Sequence, residues 1–311
     1  MPMKDWKYKP LQLMLAAGSR MPMWMLYRLS DLIFVVLYHM VRYRRKVALK
    51  HISDSFPEKS EREHRQICRR FFRNFADYIV ETIKLGHISD SEIKRRMTFE
   101  GIEEVDRLMS EGKSIVAYFA HTFNWEWAPS ITLWSGLKAD VDAEFCQVYR
   151  PLRNKWFDAY MLKIRSRFKP LSFPKSSVLR DLLKLRKANM PSITGFMSDQ
   201  KPSHGDPTRV LMFLNHPTAF ITGTETLASK LGMAVVYWDM VKTSRGHYTI
   251  KMKLLTEDAS KLQPMELTDQ YAALLEETIR RDPANWLWTH KRWKWPVTLP
   301  ANDLPNGTKQ Q

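Results

Sequence analysis

The feature that most constrains the fold is an alternation of strand and helix patterns between residues 114 and 281. Short runs of β-branched and aromatic residues alternate with longer segments in which apolar residues recur every three or four positions. The predicted strands are 114–120, 143–148, 192–197, 233–241 and 248–254, and the predicted helices are 154–168, 176–189, 220–231 and 267–281. This order predicts an α/β fold with a mixed, mostly parallel sheet flanked by helices.

The N-terminal segment ahead of this region is both basic and apolar. Its first fifty residues contain ten Lys and Arg but only two acids. Their net charge of +8 is half of the chain's net charge of +16. Residues 21–41 are apolar, but Arg28 and Asp31 leave the uninterrupted run shorter than the roughly 20 residues of a spanning helix. We therefore predict an N-terminal membrane-associated helix that lies in the interface or crosses as a tilted, marginal span. A buried core helix followed by a basic loop is the alternative.

These patterns divide the chain into three predicted parts. Residues 1–50 form the basic membrane-associating segment, residues 51–299 the main domain, and the polar residues 300–311 a flexible tail. The main domain is expected to open with a long amphipathic helix, which follows Phe56 and carries one apolar stripe. The two cysteines, Cys68 and Cys146, lie in apolar contexts, so we expect buried, reduced thiols rather than a disulfide.

A net charge of +16 favours three kinds of partner: nucleic acid, an anionic membrane surface, or an acidic protein or substrate. The chain is also rich in Trp, which favours membrane–water interfaces, and no nucleic-acid-binding module is recognisable. We therefore expect a membrane surface as a partner and no nucleic acid. The sequence contains no CxxC or HExxH spacing, no GxSxG elbow and no glycine-rich phosphate loop, so we expect no metal site and no cofactor.

The strongest local signal for chemistry is His121 followed by Glu126. On one continuous helix these side chains would point about 140° apart. A strand that ends at Ala120 instead places His121 at its carboxyl end, where ligands bind in open α/β sheets, and a turn leads into a helix carrying Glu126. There the carboxylate can hold the imidazole, which would take a proton from a substrate hydroxyl. The pair predicts an acyl-transfer or hydrolytic site without its own nucleophile, and a structural His is the alternative.

Six blocks in order along the chain resemble the bacterial lipid A late acyltransferases, the lauroyl/myristoyl acyltransferases of the lysophospholipid acyltransferase superfamily. Residues 121–126 fit the family's motif of a His and, five residues later, an acid. The other blocks are residues 44–49 followed by 56–57, 149–154 with Asp158 and Arg165 beyond them, 198–200, 222–223 and 286–294. Each block is unspecific alone, but the six occur in order along most of the chain, and together they are fairly specific.

The resemblance implies a role for several residues. His121 would be the general base and Glu126 its charge partner, while Arg165 and Asp199 would support the acceptor or the catalytic centre. In the block 149–154, Arg150 and Asn154 are further expected substrate contacts, because guanidinium groups bind phosphates in a bidentate manner.

The resemblance also implies the substrates. The donor would be an acyl thioester on acyl carrier protein or CoA, and the acceptor a hydroxyl of a membrane glycolipid, a lipid A precursor at the cytoplasmic face of the bacterial inner membrane. An acidic carrier protein and a phosphorylated lipid both suit a basic enzyme.

Two departures from the family pattern leave the acceptor open. Lys201 stands where the family commonly has a second acid, and residues 212–217 replace a stretch rich in proline and small residues. Another membrane lipid, such as a lysophospholipid or an amino-acid lipid, is the alternative acceptor. A non-catalytic, basic membrane-binding protein is the alternative outside the enzyme class.

Overall fold

A mixed sheet forms the centre of the structure, a computed structural model that describes residues 6–139 and 141–300. Its strands are β1 (Met97–Glu100), β2 (Ile115–Phe119), β3 (Glu144–Tyr149), β4 (Leu171–Pro174), β5 (Ser192–Met197), β8 (Ala234–Ser244) and β9 (His247–Thr256), while β6 (Thr208–Phe213) and β7 (His216–Ile221) form a separate antiparallel ribbon. The seven strands lie in the order β1–β9–β8–β2–β5–β3–β4, and every neighbouring pair is parallel except the β8–β9 hairpin. The predicted α/β class with a mixed, mostly parallel sheet is confirmed.

The helices are α1 (Lys9–Arg20), α2 (Met23–Val35), α3 (Arg45–Ser55), α4 (Glu61–Leu85), α5 (Asp90–Arg96), α6 (Ile102–Ser110), α7 (Lys155–Arg165), α8 (Val178–Lys187), α9 (Gly223–Leu231) and α10 (Glu266–Arg281). The predicted long helix corresponds to α4. It begins where Ser60 and Glu63 form a capping box, in which each side chain accepts a hydrogen bond from the backbone of the other. Its buried side runs through Phe72, Ala76 and Val80.

Both faces of the sheet are buried, as alternate residues of β2 show. Val116 and Tyr118 pack in a hydrophobic cluster that includes α9 and α10, whereas Ile115, Ala117 and Phe119 pack in a second cluster that includes α6. Successive side chains of a strand point to opposite faces, so a strand covered on both sides is apolar throughout. This double burial explains the uninterrupted apolar run in the sequence.

Five predicted strands correspond to β2, β3, β5, β8 and β9, and four predicted helices to α7, α8, α9 and α10. No sequence pattern predicts β1 or β4, because four residues are too few to establish one. The β6–β7 ribbon was not predicted either, and its turn residues Leu214 and Asn215 both have positive φ angles. The helix predicted from residue 220 begins at Gly223, since the residues before it belong to β7. Cys68 and Cys146 are both buried and unpaired, as expected.

The N-terminal helices pack against α4. Helix α2 buries Leu26 and Phe34, whereas Trp24 and Leu32 on its other side are exposed. It continues as a π-helical turn, Val36–Met40, and α3 then runs across residue 50, the predicted boundary of the basic segment. Within residues 6–139 and 141–300, no helix by itself has the length and hydropathy to cross a bilayer. Helix α2 with its π turn and α3 meet that requirement only jointly, as a pair bent by 84°.

Candidate active site

The carboxyl ends of two neighbouring strands bring His121 and Asp199 together. Strands β2 and β5 are parallel partners, and their register pairs Phe119 with Met197. His121 and Asp199 each lie two residues beyond that pair, so the same register sets them side by side. The side chain of His121 is partly exposed, whereas that of Asp199 is buried. This position, at the carboxyl edge of an open sheet, is the one that the sequence predicts for His121.

Asp199 holds the imidazole of His121 in one orientation. His121 Nδ1 lies 2.8 Å from Asp199 Oδ1, and Asp199 Oδ2 accepts hydrogen bonds from the backbone N–H of His121 (3.2 Å) and from Trp286 Nε1 (2.9 Å). Burial alone would raise the pKa of Asp199. The charge of His121 and these hydrogen bonds outweigh burial and lower the pKa to about 2. An ionised carboxylate only accepts, so Nδ1 carries a proton whether the imidazole is neutral or charged, and in the neutral form Nε2 presents its lone pair.

The other nitrogen of the imidazole, Nε2, lies next to a polar side chain, and the ring as a whole contacts an aromatic side chain. His121 Nε2 lies 3.1 Å from Gln200 Nε2, whose amide N–H can donate to that lone pair. The ring of Trp125 meets the imidazole edge-on at a centroid distance of 4.9 Å. Asp199, Gln200 and Trp125 thus fix the orientation of the imidazole on three sides.

Glu126 has a different partner from the expected one. Arg165 donates to both carboxylate oxygens, from Nε at 2.7 Å and from Nη2 at 2.6 Å, and Trp125 Nε1 donates to one of them at 3.2 Å. The helix expected to carry Glu126 is a 3₁₀ segment, Trp125–Leu133, and its first turn directs Glu126 toward α7. The expected Glu126–His121 contact is therefore replaced by a buried Glu126–Arg165 pair, and Asp199 orients the imidazole.

Next to His121 lies a cavity of about 800 Å³, which is lined by basic side chains in one part and by apolar side chains in another. At its mouth the side chains of Arg150, Arg153 and Lys175 are exposed. The opposite end is closed by side chains that line the cavity yet are almost inaccessible to solvent: Ala128, Ile131, Phe145, Ile193 and Trp238. A site with a basic mouth and a closed apolar end can hold a molecule that has a charged head and a hydrocarbon chain.

The comparison with known proteins identifies the family. A family model described as bacterial lipid A biosynthesis acyltransferase matches residues 11–295. The chain belongs to this acyltransferase family. It is 22% identical over 258 residues to the lipid A biosynthesis palmitoleoyltransferase of Escherichia coli (strain K12), which covers 82% of this chain and 80% of that protein. It is also 22% identical over 277 residues to the lipid A biosynthesis lauroyltransferase of the same organism, covering 88% and 87% of the two chains. The protein is therefore an acyltransferase.

The remaining predicted site residues of this acyltransferase lie in different surroundings. Arg150 is at the mouth of the cavity, as a substrate contact would be. Asn154 is the N-cap of α7: its Oδ1 accepts from the N–H groups of Trp156 and Phe157, and its Nδ2 donates to Tyr8. Both polar side-chain atoms of Asn154 are therefore engaged within the protein. The cavity lining includes the neighbouring Arg153 but not Asn154.

Several residues that contact the candidate site have no role assigned from the sequence. Gln200 and Trp286 lie in blocks that resemble the family, and that resemblance was the only signal for them. His290, in the same block as Trp286, accepts a hydrogen bond from the backbone N–H of Lys201 at 3.2 Å. Burial lowers the pKa of His290 to about 4, so it stays neutral and holds the turn that follows Asp199.

Proposed function

We propose that this acyltransferase moves a fatty acyl chain from an acyl thioester to a hydroxyl of a lipid A precursor, with His121 as general base. The observation that carries the proposal is the position of the His121–Asp199 pair beside a cavity with a basic mouth and a closed apolar end. Both relatives described above are named for acyl transfer in lipid A biosynthesis.

In the proposed reaction, His121 Nε2 takes the proton of the acceptor hydroxyl as its oxygen attacks the thioester carbonyl. The new C–O bond forms, the C–S bond breaks, and the imidazolium returns its proton to the leaving thiolate. Asp199 stays ionised throughout and stabilises the imidazolium through Nδ1–H. No covalent intermediate on the protein is needed, because the hydroxyl of the acceptor is the nucleophile.

Glu126 and Arg165 act in this proposal as a fixed cation beside the base. Both residues line the cavity, and Glu126 engages Nε and Nη2 of Arg165. Among the described residues, Nη1 of Arg165 has no hydrogen-bond partner. We assign it to an oxygen of the substrate, either the carbonyl that becomes an oxyanion or an anionic group of the acceptor.

The charged groups of the two substrates are assigned to the mouth of the cavity. Arg150 and Arg153 are exposed there, and Lys175 is partly neutralised by Asp206 at 2.9 Å. Guanidinium groups bind phosphates with two parallel hydrogen bonds. A lipid A precursor and the phosphopantetheine arm that holds an acyl thioester, on acyl carrier protein or CoA, both bring phosphate to this mouth.

The N-terminal helices are proposed to rest on the membrane that contains the acceptor. Helix α2 exposes a stripe of apolar side chains: Trp24, Met25, Leu29, Leu32 and Val35. Arg42 and Lys46 are exposed just beyond it. An apolar face beside cations suits the interface of an anionic bilayer, and we place that bilayer at the cytoplasmic face of the bacterial inner membrane.

Mass spectrometry of lipid A tests the proposed function. Cells that lack the gene should contain lipid A that is lighter by one acyl chain, and the wild-type gene should restore the mass. The variant His121→Ala should fail to restore it while still folding and reaching the membrane, because the general base is missing. His87→Ala removes an exposed histidine from the loop after α4 and serves as the matched control. If lipid A is unchanged and another lipid gains the chain, the acceptor assignment is wrong.

A further inference from the structure

Gly195 lies in the middle of β5, where it lines the cavity. Its φ angle is not in the left-handed region, so the backbone itself does not call for glycine. The limited space at this position does call for glycine. A Cβ here would lie 2.9 Å from Cε1 of Phe119, closer than carbon atoms of well-packed side chains approach. A glycine within a strand often marks such a close approach.

The register of the sheet explains why the ring of Phe119 occupies this space. On β2, Ala117 is the direct partner of Gly195, and Phe119 is the partner of Met197. Phe119 is therefore the diagonal neighbour of Gly195 on the same face of the sheet, a distance that an aromatic side chain can span. Its ring leans over Gly195 because neither the glycine nor Ala117 has a side chain large enough to prevent it.

The ring of Phe119 also has a neighbour on its other side. Trp238, on the strand that flanks β2 opposite β5, packs against it at a centroid distance of 5.4 Å. A side chain at position 195 would push the ring away from β5, and Trp238 opposes that movement. The direction that remains open to the ring is into the cavity.

Because the strands are parallel and in register, the number of residues along them measures how far each part of the cavity lies from His121. His121 lies beyond the carboxyl end of β2; the level of Gly195 lies four residues back, and the level of Ile193 and Phe145 six residues back. At the rise of an extended chain these levels are about 13 Å and about 20 Å from His121. A hydrocarbon chain that starts at His121 must pass Phe119 and Gly195 before it reaches the closed end.

We propose that Gly195, through the ring of Phe119, determines the length of the acyl chain that this enzyme transfers. This inference rests on the proposed function. With glycine at position 195, the ring of Phe119 stays over the glycine and the chain extends to Ile193 and Phe145. With a larger residue, the ring obstructs the path and shorter chains are transferred in preference.

The direct test is Gly195→Ala. Purified enzyme is given lauroyl, myristoyl and palmitoyl thioesters of acyl carrier protein, with membranes from cells lacking the gene as the acceptor, and mass spectrometry measures each product. The ratio of kcat/KM for the shortest donor to that for the longest should rise about tenfold or more, since even one methylene in an apolar pocket has an effect of that size. Gly136→Ala is the matched control: its Cβ would meet Asp106 Oδ2 at 3.5 Å, an ordinary contact outside the cavity.

Two further variants test the same idea from the other side. Ile193→Ala deepens the closed end and should shift the preference toward the palmitoyl donor. Phe119→Leu, added to Gly195→Ala, removes the displaced ring and should restore the wild-type preference. Thermal unfolding reports whether each variant folds, and if Gly195→Ala does not fold, Ile193→Ala alone decides.

The outcomes separate this inference from the proposed function. If the wild-type enzyme transfers no acyl chain from any thioester, the proposed function fails. If it transfers chains, and folded Gly195→Ala or Ile193→Ala keeps the wild-type ratio of kcat/KM between the shortest and the longest donor, then the length assignment is overturned and the acyltransferase activity stands.

Discussion

At the scale of single residues, the proposed catalytic centre contains two separate charge pairs. His121 pairs with Asp199, and Glu126 with Arg165. Both carboxylates are buried, so each depends on its own partner for compensation of its charge. The two acids consequently have different roles in the proposal: Asp199 orients the base and selects its tautomer, and Glu126 fixes a cation.

The role of Asp199 predicts the behaviour of Asp199→Asn. An amide at this position can donate to Nδ1 and so favour the wrong tautomer of His121. A Ser–His–Asp enzyme loses about 10⁴-fold in kcat from that change, and we expect a loss of similar order here. Acyl-transfer assays on folded protein measure it. A loss smaller than tenfold would show that the imidazole does not depend on Asp199.

The lowered pKa of Asp199 predicts how stability depends on pH. Because the folded-state pKa is about 2 and the ordinary value is near 3.9, Asp199 stabilises the folded protein fully above about pH 4. The stabilisation, about 2 kcal/mol, is lost as the pH falls toward 2. Urea unfolding at several pH values measures this effect. The difference in the free energy of unfolding between the wild-type protein and Asp199→Asn should decrease by that amount on acidification.

The buried pair of Glu126 and Arg165 predicts a stability effect. Arg165→Met leaves the Glu126 carboxylate buried without a counter-charge, which should lower the free energy of unfolding by about 3 kcal/mol. The neighbouring Arg167→Met breaks a more exposed pair with Asp90 and should cost less than about 1 kcal/mol. Urea denaturation compares the two variants. Equal effects would contradict the assignment of Glu126 to Arg165.

At the scale of elements, α4 connects the N-terminal helices to the segment that carries the proposed site. Its Glu81 is fully buried and accepts hydrogen bonds from Tyr27 of α2, from Tyr248 of β9 and from Asn124, which precedes the 3₁₀ segment Trp125–Leu133. Burial, followed by the nearby charge of Asp77, raises the pKa of Glu81. One side chain thus joins three parts of the fold.

This junction predicts graded losses of stability. Glu81→Leu leaves three donors without an acceptor at a cost of about 1–3 kcal/mol each, whereas Tyr27→Phe removes one hydrogen bond at about 1 kcal/mol. In thermal unfolding, the melting temperature of Glu81→Leu should therefore be well below that of Tyr27→Phe, and both should be below that of the wild-type protein. Glu81→Leu should also lower acyl transfer, because Asn124 no longer has its anchor. Similar melting temperatures for the two variants would show that Glu81 is not the common acceptor.

At the scale of the whole molecule, the net charge of +16 and the exposed stripe of α2 point to one surface of interaction. In the proposed membrane contact, the charge attracts the protein to an anionic surface over a distance set by the salt concentration, and the apolar side chains hold it there. Because the contact combines both forces, neither a basic nor an apolar change alone should abolish it.

Vesicle sedimentation tests this contact. Binding should be stronger to vesicles that contain phosphatidylglycerol than to pure phosphatidylcholine, and should weaken as salt is raised, since each Lys or Arg near the surface contributes about 1 kcal/mol. Leu32→Glu, in the stripe of α2, should reduce binding. Leu183→Glu changes another exposed leucine, on α8, and should not. If both variants bind like the wild-type protein, the membrane contacts a different face.

The chain by itself determined the order of the elements, the place of His121 at the end of a strand, and the resemblance to the family, because all three depend on neighbouring residues and on motifs. Only the tertiary structure decided that Asp199 and not Glu126 orients the imidazole. The two residues are 78 positions apart, and they meet because β2 and β5 are parallel neighbours in register. The contact of Gly195 with Phe119 depends on the same register. Which strands become neighbours is a property of the folded core, and no local pattern in the sequence contains it.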